Sequence, residues 1–452
     1  MNVIDDAKNE SVAIIFREKK ITFSKLKELT QKIEKKITKY FLEGDRVIVS
    51  SQNPVTFIAT LFACYKSKIV FCCWDGKSNK KEIVDLVSAS GCIVPNTQEI
   101  ISVSKNKTKR NTEGNNGNLI ITTSGSTGTP KGVLLDLEDV IQNAKLAGER
   151  IFFGQYNLSQ WCIDIDFSLM SALNHLFMAW HSNVPINLIK GLNIASLREI
   201  FLHQKSGFGG APLQLLRLSQ VIESFSDGSL MVSSGDFLSQ EIIKNIKIKH
   251  LEVSIATFYG LTELSGRFCY MSADDLINKP GAAGKPIQEE TIVIEDNQIK
   301  TESRFLYKGY FVASGKFEKR KIPFNTGDIG FFDRDGFLWL KGRLVDNFKV
   351  SGLKVNRKEI ELTLKNILID FNFIILPVKH DILGSCCALF VEDKVEKKKP
   401  PLIEIIAVIK GNHSSSCIPV YSYLLKKMPL LSNGKLNKQF MMINHFNYEK
   451  YR

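Results

Sequence analysis

The segment Thr122-Thr123-Ser124-Gly125-Ser126-Thr127-Gly128-Thr129-Pro130-Lys131-Gly132 follows directly on the apolar run Leu119-Ile120-Ile121, and this junction constrains the chain more than any other feature. The apolar run reads as a buried strand, and the hydroxylated residues and glycines after it read as a loop that holds a phosphate. Glycines let the backbone approach an anion, hydroxyls and main-chain N–H groups donate to its oxygens, and the ammonium of Lys131 offsets its charge. The residue order excludes a Walker A loop, which needs Gly-Lys followed by Ser or Thr to set a hydroxyl on magnesium. Here Pro130 precedes Lys131 and Gly132 follows it.

The 452 residues, 44% hydrophobic and 24% charged, suffice for two or more globular domains. The apolar stretch from Val55 to Trp74 is broken by Lys66 and Lys68, and the start Met1-Asn2-Val3-Ile4-Asp5-Asp6 has neither the basic nor the apolar part of a signal peptide. Membrane insertion is not expected. Nine cysteines, with Cys72-Cys73 and Cys386-Cys387 adjacent rather than at C-x-x-C spacing, read as reduced, buried thiols of a cytoplasmic protein. The net charge of +13 comes from lysines spread along the chain, which argues against a nucleic-acid-binding arm. It favours anionic partners such as ATP, coenzyme A or an acidic carrier protein.

Leu26, Leu29, Ile33 and Ile37 have helical spacing, with Thr22 or Ser24 as N-cap. Arg46 to Ser50 reads as a strand and Thr56 to Tyr65 as a second helix. Alternation of this kind through about the first 230 residues predicts parallel α/β layers. From Pro286 to Trp339 short alternating strands take over, with a hairpin signal at Asp335-Gly336. After Gly342-Arg343 the pattern restarts, with strands at Phe348–Val350, Phe373–Val378 and Ala388–Val391 and a helix over Arg357 to Ile369, enough for a small α/β domain.

Four further motifs stand downstream in order: Tyr259-Gly260-Leu261-Thr262-Glu263; Asn325-Thr326-Gly327-Asp328-Ile329-Gly330; Gly342-Arg343 with Lys349-Val350-Ser351-Gly352-Leu353-Lys354; and Met428-Pro429-Leu430-Leu431-Ser432-Asn433-Gly434-Lys435-Leu436. With the phosphate loop they resemble the core motifs of the adenylate-forming superfamily, which includes acyl-CoA synthetases, the adenylation enzymes of nonribosomal peptide synthesis and beetle luciferases. The resemblance covers nearly the whole chain. It implies an α/β fold: a large multilayer N-terminal domain over residues 1–342, with mixed sheets and a small β-barrel-like part, and a small mobile α+β domain over residues 343–452 that carries the catalytic lysine.

The resemblance also implies roles. Thr123, Ser124, Gly125, Ser126, Thr127, Gly128, Thr129 and Lys131 would hold the phosphates of ATP, Tyr259 and Gly260 would lie by the adenine, and Thr262 and Glu263 would face the phosphates and Mg²⁺. A hard cation of this kind prefers carboxylate oxygen plus substrate phosphate. Asp328 would accept from the ribose hydroxyls, as suits an ionised carboxylate, and Arg343 would reach the ribose or α-phosphate. Lys435 would neutralise charge as a carboxylate oxygen attacks the α-phosphorus. Read without the resemblance, Tyr259 is core, Glu263 a helix N-terminal charge and Asp328 a turn residue. The family's hinge position, an Asp or Lys two places after the arginine, is here Val345, with Asp346 next to it.

Ile165-Asp166-Phe167-Ser168 resembles the F-D-x-S element of amino-acid-activating members, in which Asp166 would pair with a substrate α-ammonium; Asp164 competes for that role, and Asp166 could instead cap a helix over Leu169 to Trp180. Met170, Phe258 and Arg267 fall at offsets that line the family's acyl pocket. Arg267 would bind an acceptor on the substrate or pair with Asp166. The expected reaction is ATP-dependent activation of a carboxylic acid, first choice an amino acid, as acyl-adenylate, followed by transfer to a thiol. That thiol would be the phosphopantetheine of a separate acyl or peptidyl carrier protein, or CoA. The alternatives are an acyl-CoA synthetase or an aryl- or fatty-acid ligase, then a silent or luciferase-like homologue.

Overall fold

The computed structural model describes residues 8–96, 100–105, 117–123, 130–151, 156–288, 292–312, 315–343, 347–350, 353–380, 384–392, 400–430 and 436–451. Two large sheets dominate. In the eight-stranded sheet the order is Lys316–Lys319, Gly309–Val312, Lys131–Leu135, Leu119–Thr123, Val70–Trp74, Arg46–Ser50, Gly91–Asn96, Ile100–Lys105. Its centre, from Leu119–Thr123 through Gly91–Asn96, is parallel. In the nine-stranded sheet the order is Lys285–Pro286, Cys269–Met271, Ser254–Tyr259, Leu230–Ser234, Ser206–Gly210, Gln160–Ile163, Ile186–Leu188, Val12–Phe16, Lys19–Thr22. Six consecutive strands of it, from Ser254–Tyr259 to Val12–Phe16, are parallel.

Helices lie between the sheets, and their sequences say why. Pro54–Lys66 is apolar all round, with Val55 and every residue from Phe57 to Cys64 buried; a helix without a polar face must be covered on every side. Met170–His181 is similar, buried from Ala172 through Trp180. The two helices meet through Phe62, whose ring lies 6.3 Å from those of Phe177 and Trp180. Burial of each such ring contributes about 1.5–3 kcal/mol. The helix expected at Leu26–Ile37 runs Phe23–Ile37, capped by Thr22, whose hydroxyl accepts from the Lys25 N–H. The second helix starts earlier than its apolar spacing suggested, because Asn53 caps it and Pro54 occupies its first turn.

The part expected to be barrel-like is a four-stranded antiparallel sheet, Ile292–Glu295, Gln298–Thr301, Phe324–Phe332, Leu338–Arg343. Its last hairpin turns at Gly336, with φ +79. Beyond it, Asn347–Val350 pairs with Leu353–Asn356. A last sheet of Asn372–His380, Gly384–Glu392, Tyr421–Leu425 and Glu449–Lys450 packs with the helices Arg357–Leu364, Leu402–Asn412 and Lys438–Ile443 around cores of its own. The helix Leu402–Asn412 was not anticipated. All nine cysteines are free and buried, and no helix among the described residues is long and apolar enough to cross a membrane.

Candidate active site

The strand Leu119–Thr123 turns back on itself as Lys131–Leu135, with Thr123 opposite Lys131. The phosphate-loop motif therefore joins two antiparallel neighbouring strands, and Lys131 opens the second of them. Ser124 to Thr129 lie outside the described residues. The ammonium of Lys131 sits 4.9 Å from the ring centroid of Tyr310, within cation–π range. Tyr310 in turn donates its hydroxyl proton to Oε1 of Glu263 at 2.8 Å. Burial, then the Glu263 carboxylate, raise the Tyr310 pKa, so the phenol stays a donor. The backbone of Glu263 is fixed as well, its carbonyl accepting from the Tyr307 N–H at 2.8 Å.

Tyr310 was not among the expected site residues. It lies on the strand Gly309–Val312, which pairs with Lys131–Leu135, a neighbour far away in sequence. The readable signal, Tyr307 and Tyr310 three apart, looks like ordinary core.

Tyr259 ends a central strand of the other large sheet, and the chain then makes a tight reversal through the single 3₁₀ turn Thr262–Leu264. Gly260 is required here: a Cβ on it would stand 1.7 Å from the Gly266 carbonyl oxygen. The Tyr259 hydroxyl donates to the carboxylate of Asp328, a buried residue at 4% exposure. Asp328 is presented by Gly327, at φ +75, and by Thr326, whose hydroxyl accepts from the Asp328 N–H at 3.1 Å and donates to the Ile299 carbonyl at 2.8 Å. Arg343 stands opposite Asp328 in the neighbouring strand; its side chain is outside the described residues. Three sheets thus converge, one bringing Lys131 and Tyr310, one Tyr259 and Glu263, one Asp328.

Of the residues expected to line the acyl pocket, Phe258 and Arg267 come together, Met170 lies against Asn174, and Asp166 is bonded to other groups. The Phe258 ring lies 4.9 Å from the guanidinium of Arg267, while Met170 Sδ is 3.2 Å from Nδ2 of Asn174, which also donates to the Ser265 carbonyl. The carboxylate of Asp166 accepts from the Ser51 hydroxyl at 2.5 Å and from the Ser168 N–H at 2.9 Å. The anticipated pairing of Asp166 with Arg267 is not formed. Nor does Asp166 cap the next helix, which starts at Met170 with Leu169 as an N-cap that makes no side-chain bond. Lys435, Val345, Asp346, Ser351 and Gly352 lie outside the described residues; Leu430 and Leu436 on either side of the lysine loop form an antiparallel bridge.

Among the described residues no group of three or more His, Cys, Asp or Glu is placed to hold a metal ion. A single carboxylate such as Glu263, sharing Tyr310 with the ammonium of Lys131, suits a cation that takes its other ligands from substrate phosphates and water.

Residues 93–316 match the family model described as AMP-binding enzyme. A 2-succinylbenzoate–CoA ligase of Bacillus cereus (strain AH820) is 22% identical over 94% of each chain, and that of Lactococcus lactis subsp. lactis (strain IL1403) is 26% identical over 62% of each. Among solved structures, o-succinylbenzoate CoA synthetase (MenE) from Bacillus subtilis in complex with its acyl-adenylate intermediate aligns with TM-score 0.80 at 17% identity, covering 97% of both chains. ATP-bound MatB from Rhodopseudomonas palustris aligns with TM-score 0.79 at 15% identity, covering 98% of this chain and 99% of that one. The convergent motifs, the matched family model and the shared fold identify the chain as an AMP-binding enzyme of the adenylate-forming superfamily, an AMP-forming ligase.

Proposed function

We propose that the protein joins a carboxylic acid to coenzyme A in two steps. The acid's carboxylate oxygen attacks the α-phosphorus of ATP, releasing pyrophosphate and forming an acyl-adenylate. The CoA thiolate then attacks the acyl carbonyl, and AMP leaves as the thioester forms. The observation that carries this reading is the chain of contacts from Lys131 through Tyr310 to Glu263, set beside the pair Tyr259 and Asp328.

In this reading Lys131 and the loop before it hold the ATP phosphates, and Asp328, freed from or sharing its bond to Tyr259, accepts from the ribose hydroxyls. Thr262 and Glu263 face the phosphates. Glu263 would hold Mg²⁺, which supplies charge neutralisation as pyrophosphate departs. Residues 343–452 would act as the mobile part that brings Lys435 to the reacting carboxylate for the first step. The acceptor reading favours CoA over a carrier protein because relatives aligned over most of the chain are named as CoA ligases. An amino-acid substrate fits less well: the carboxylate meant for its α-ammonium is already held by Ser51 and Ser168.

ATP–pyrophosphate exchange over a panel of amino, fatty and aryl acids tests the first step, and thioester formation with CoA against a phosphopantetheinylated carrier tests the second. Exchange with a non-amino acid and thioester with CoA are expected, and Asp328→Ala should raise the KM for ATP without unfolding the protein. Exchange confined to amino acids, or transfer to the carrier alone, overturns the reading.

A further inference from the structure

Arg267 is 4% exposed and its backbone is clamped in both directions by one side chain. Its N–H donates to Oδ1 of Asn143 at 2.9 Å, and its carbonyl accepts from Nδ2 of Asn143 at 2.8 Å. The clamp fixes where the guanidinium points: over the face of Phe258, with Nη2 3.2 Å from Nε2 of His175. Its Nε is buried with no hydrogen-bond partner. No carboxylate of the described residues forms an ion pair with it, and burial is the one cause acting on its pKa, downward. A guanidinium nonetheless keeps its proton over the working pH range. A buried charge left without a counter-charge costs several kcal/mol.

The groups around it do not supply the missing acceptor. His175 is fully buried, and burial, with Arg267 second, holds its pKa well below the usual value, so the ring is neutral and has one acceptor nitrogen. Trp161 Nε1 donates toward Nδ1 at 3.3 Å; with that bond made, Nε2 carries the proton and cannot accept from Arg267. Its remaining neighbour there is the Ser234 hydroxyl at 3.4 Å, which also contacts Ser171 at 2.8 Å. The site is rich in donors and poor in acceptors. The backbone has been cut back to admit the ring, since a Cβ on Gly209 would lie 2.5 Å from it.

The position is that of a ligand. Ser234 and Phe258 face each other near the carboxyl ends of two parallel strands, where open α/β sheets bind ligands. Arg267 follows Glu263 by four residues. We propose that Arg267, with His175 and Ser234, forms the far end of the acyl pocket and selects an acid that carries a second carboxylate, remote from the one activated. The planar fork of a guanidinium matches a carboxylate with two parallel hydrogen bonds. This inference rests on the ligase reading, because the second carboxylate is recognised while the first is activated.

The test compares dicarboxylic acids, from malonate to adipate and 2-succinylbenzoate, with their monomethyl esters in ATP–pyrophosphate exchange, using the wild-type protein, Arg267→Met and Arg267→Lys. The wild type should prefer the best diacid over its monoester by at least about 10²-fold in kcat/KM, the scale of leaving one member of a buried charge pair unmatched. Arg267→Met should bring that ratio near one by losing the diacid while keeping the ester, and Arg267→Lys should fall between. Without ligand, Arg267→Met should melt at a higher temperature than wild type, because it removes an unpaired buried charge. Wild-type protein that uses the monoester as well as the diacid, an unchanged ratio in Arg267→Met, or a lower melting temperature for that variant overturns the proposal while leaving the ligase reading intact. Exchange with no acid at all brings down the ligase reading, and this inference with it.

Discussion

Tyr310 donates its phenolic proton to Glu263 across 47 residues of sequence, at 2.8 Å, while the face of the same ring carries the ammonium of Lys131. One aromatic side chain thus sets the spacing between the cation and the carboxylate that the proposed chemistry needs at opposite sides of a triphosphate. Pre-set charges of this kind lower a barrier because no reorganisation is required when charge develops.

Removing only the hydroxyl tests that role. Tyr310→Phe keeps the ring under Lys131 but frees Oε1 of Glu263, a loss of roughly 1.5–3 kcal/mol for a hydrogen bond to a charged group. The expected outcome is a rise of about tenfold or more in the Mg²⁺·ATP concentration needed for half-maximal pyrophosphate exchange, with little change in the KM for the acid. An unchanged requirement for Mg²⁺·ATP would mean that Tyr310 is packing alone.

His175 gives a pH signature. Its folded pKa is depressed well below 6.5 by burial and, second, by Arg267, so below pH 6.5 the unfolded chain takes up a proton that the native state refuses. The unfolded state then binds more protons, stability rises with pH in this window, and acidification costs about 1.4 kcal/mol per pH unit below 6.5 from this one group. Melting temperatures between pH 7.5 and 5 should therefore fall less steeply for His175→Gln than for wild type. Parallel curves would show that His175 titrates normally in the folded protein.

Much of this was legible in the sequence, and what escaped has a physical reason. The strand ending at Thr123 and the hairpin at Asp335-Gly336 are local, announced by an apolar run and by an Asp-Gly pair, whereas Gly327-Asp328, which read as a turn without the resemblance, lies inside the strand Phe324–Phe332. Tyr310 and Ser51 were invisible because their work depends on partners 47 and 115 residues away, and nothing in a tyrosine or a serine marks which distant carboxylate it will meet. Arg267 stood out in the sequence as a candidate, but not as an unpaired one. That distinction needed the actual position of Asp166, which Ser51 holds elsewhere. The start of the second helix was misplaced for a smaller reason: periodicity locates the buried face, whereas Asn53 and Pro54 set the end.

The bond between Ser51 and Asp166 makes the last prediction, and it separates a structural carboxylate from one that binds substrate. Ser51 follows the central strand Arg46–Ser50 of one large sheet, and Asp166 lies just beyond Gln160–Ile163 of the other. Their hydrogen bond at 2.5 Å therefore ties the carboxyl ends of two strands in different sheets. If that tie is the role of Asp166, Ser51→Ala and Asp166→Asn should each lower the melting temperature, by the roughly 1.5–3 kcal/mol of a charge-assisted bond. The double variant should be no worse than the more damaging single one, because both remove the same interaction. The KM for the acid should stay within about threefold of wild type in all three, since an uncharged or anionic acyl chain has no ammonium for Asp166 to meet. Additive losses of stability, or a KM for the acid that rises steeply in Asp166→Asn while Ser51→Ala leaves it alone, would instead make Asp166 a substrate ligand and return the amino-acid reading to first place.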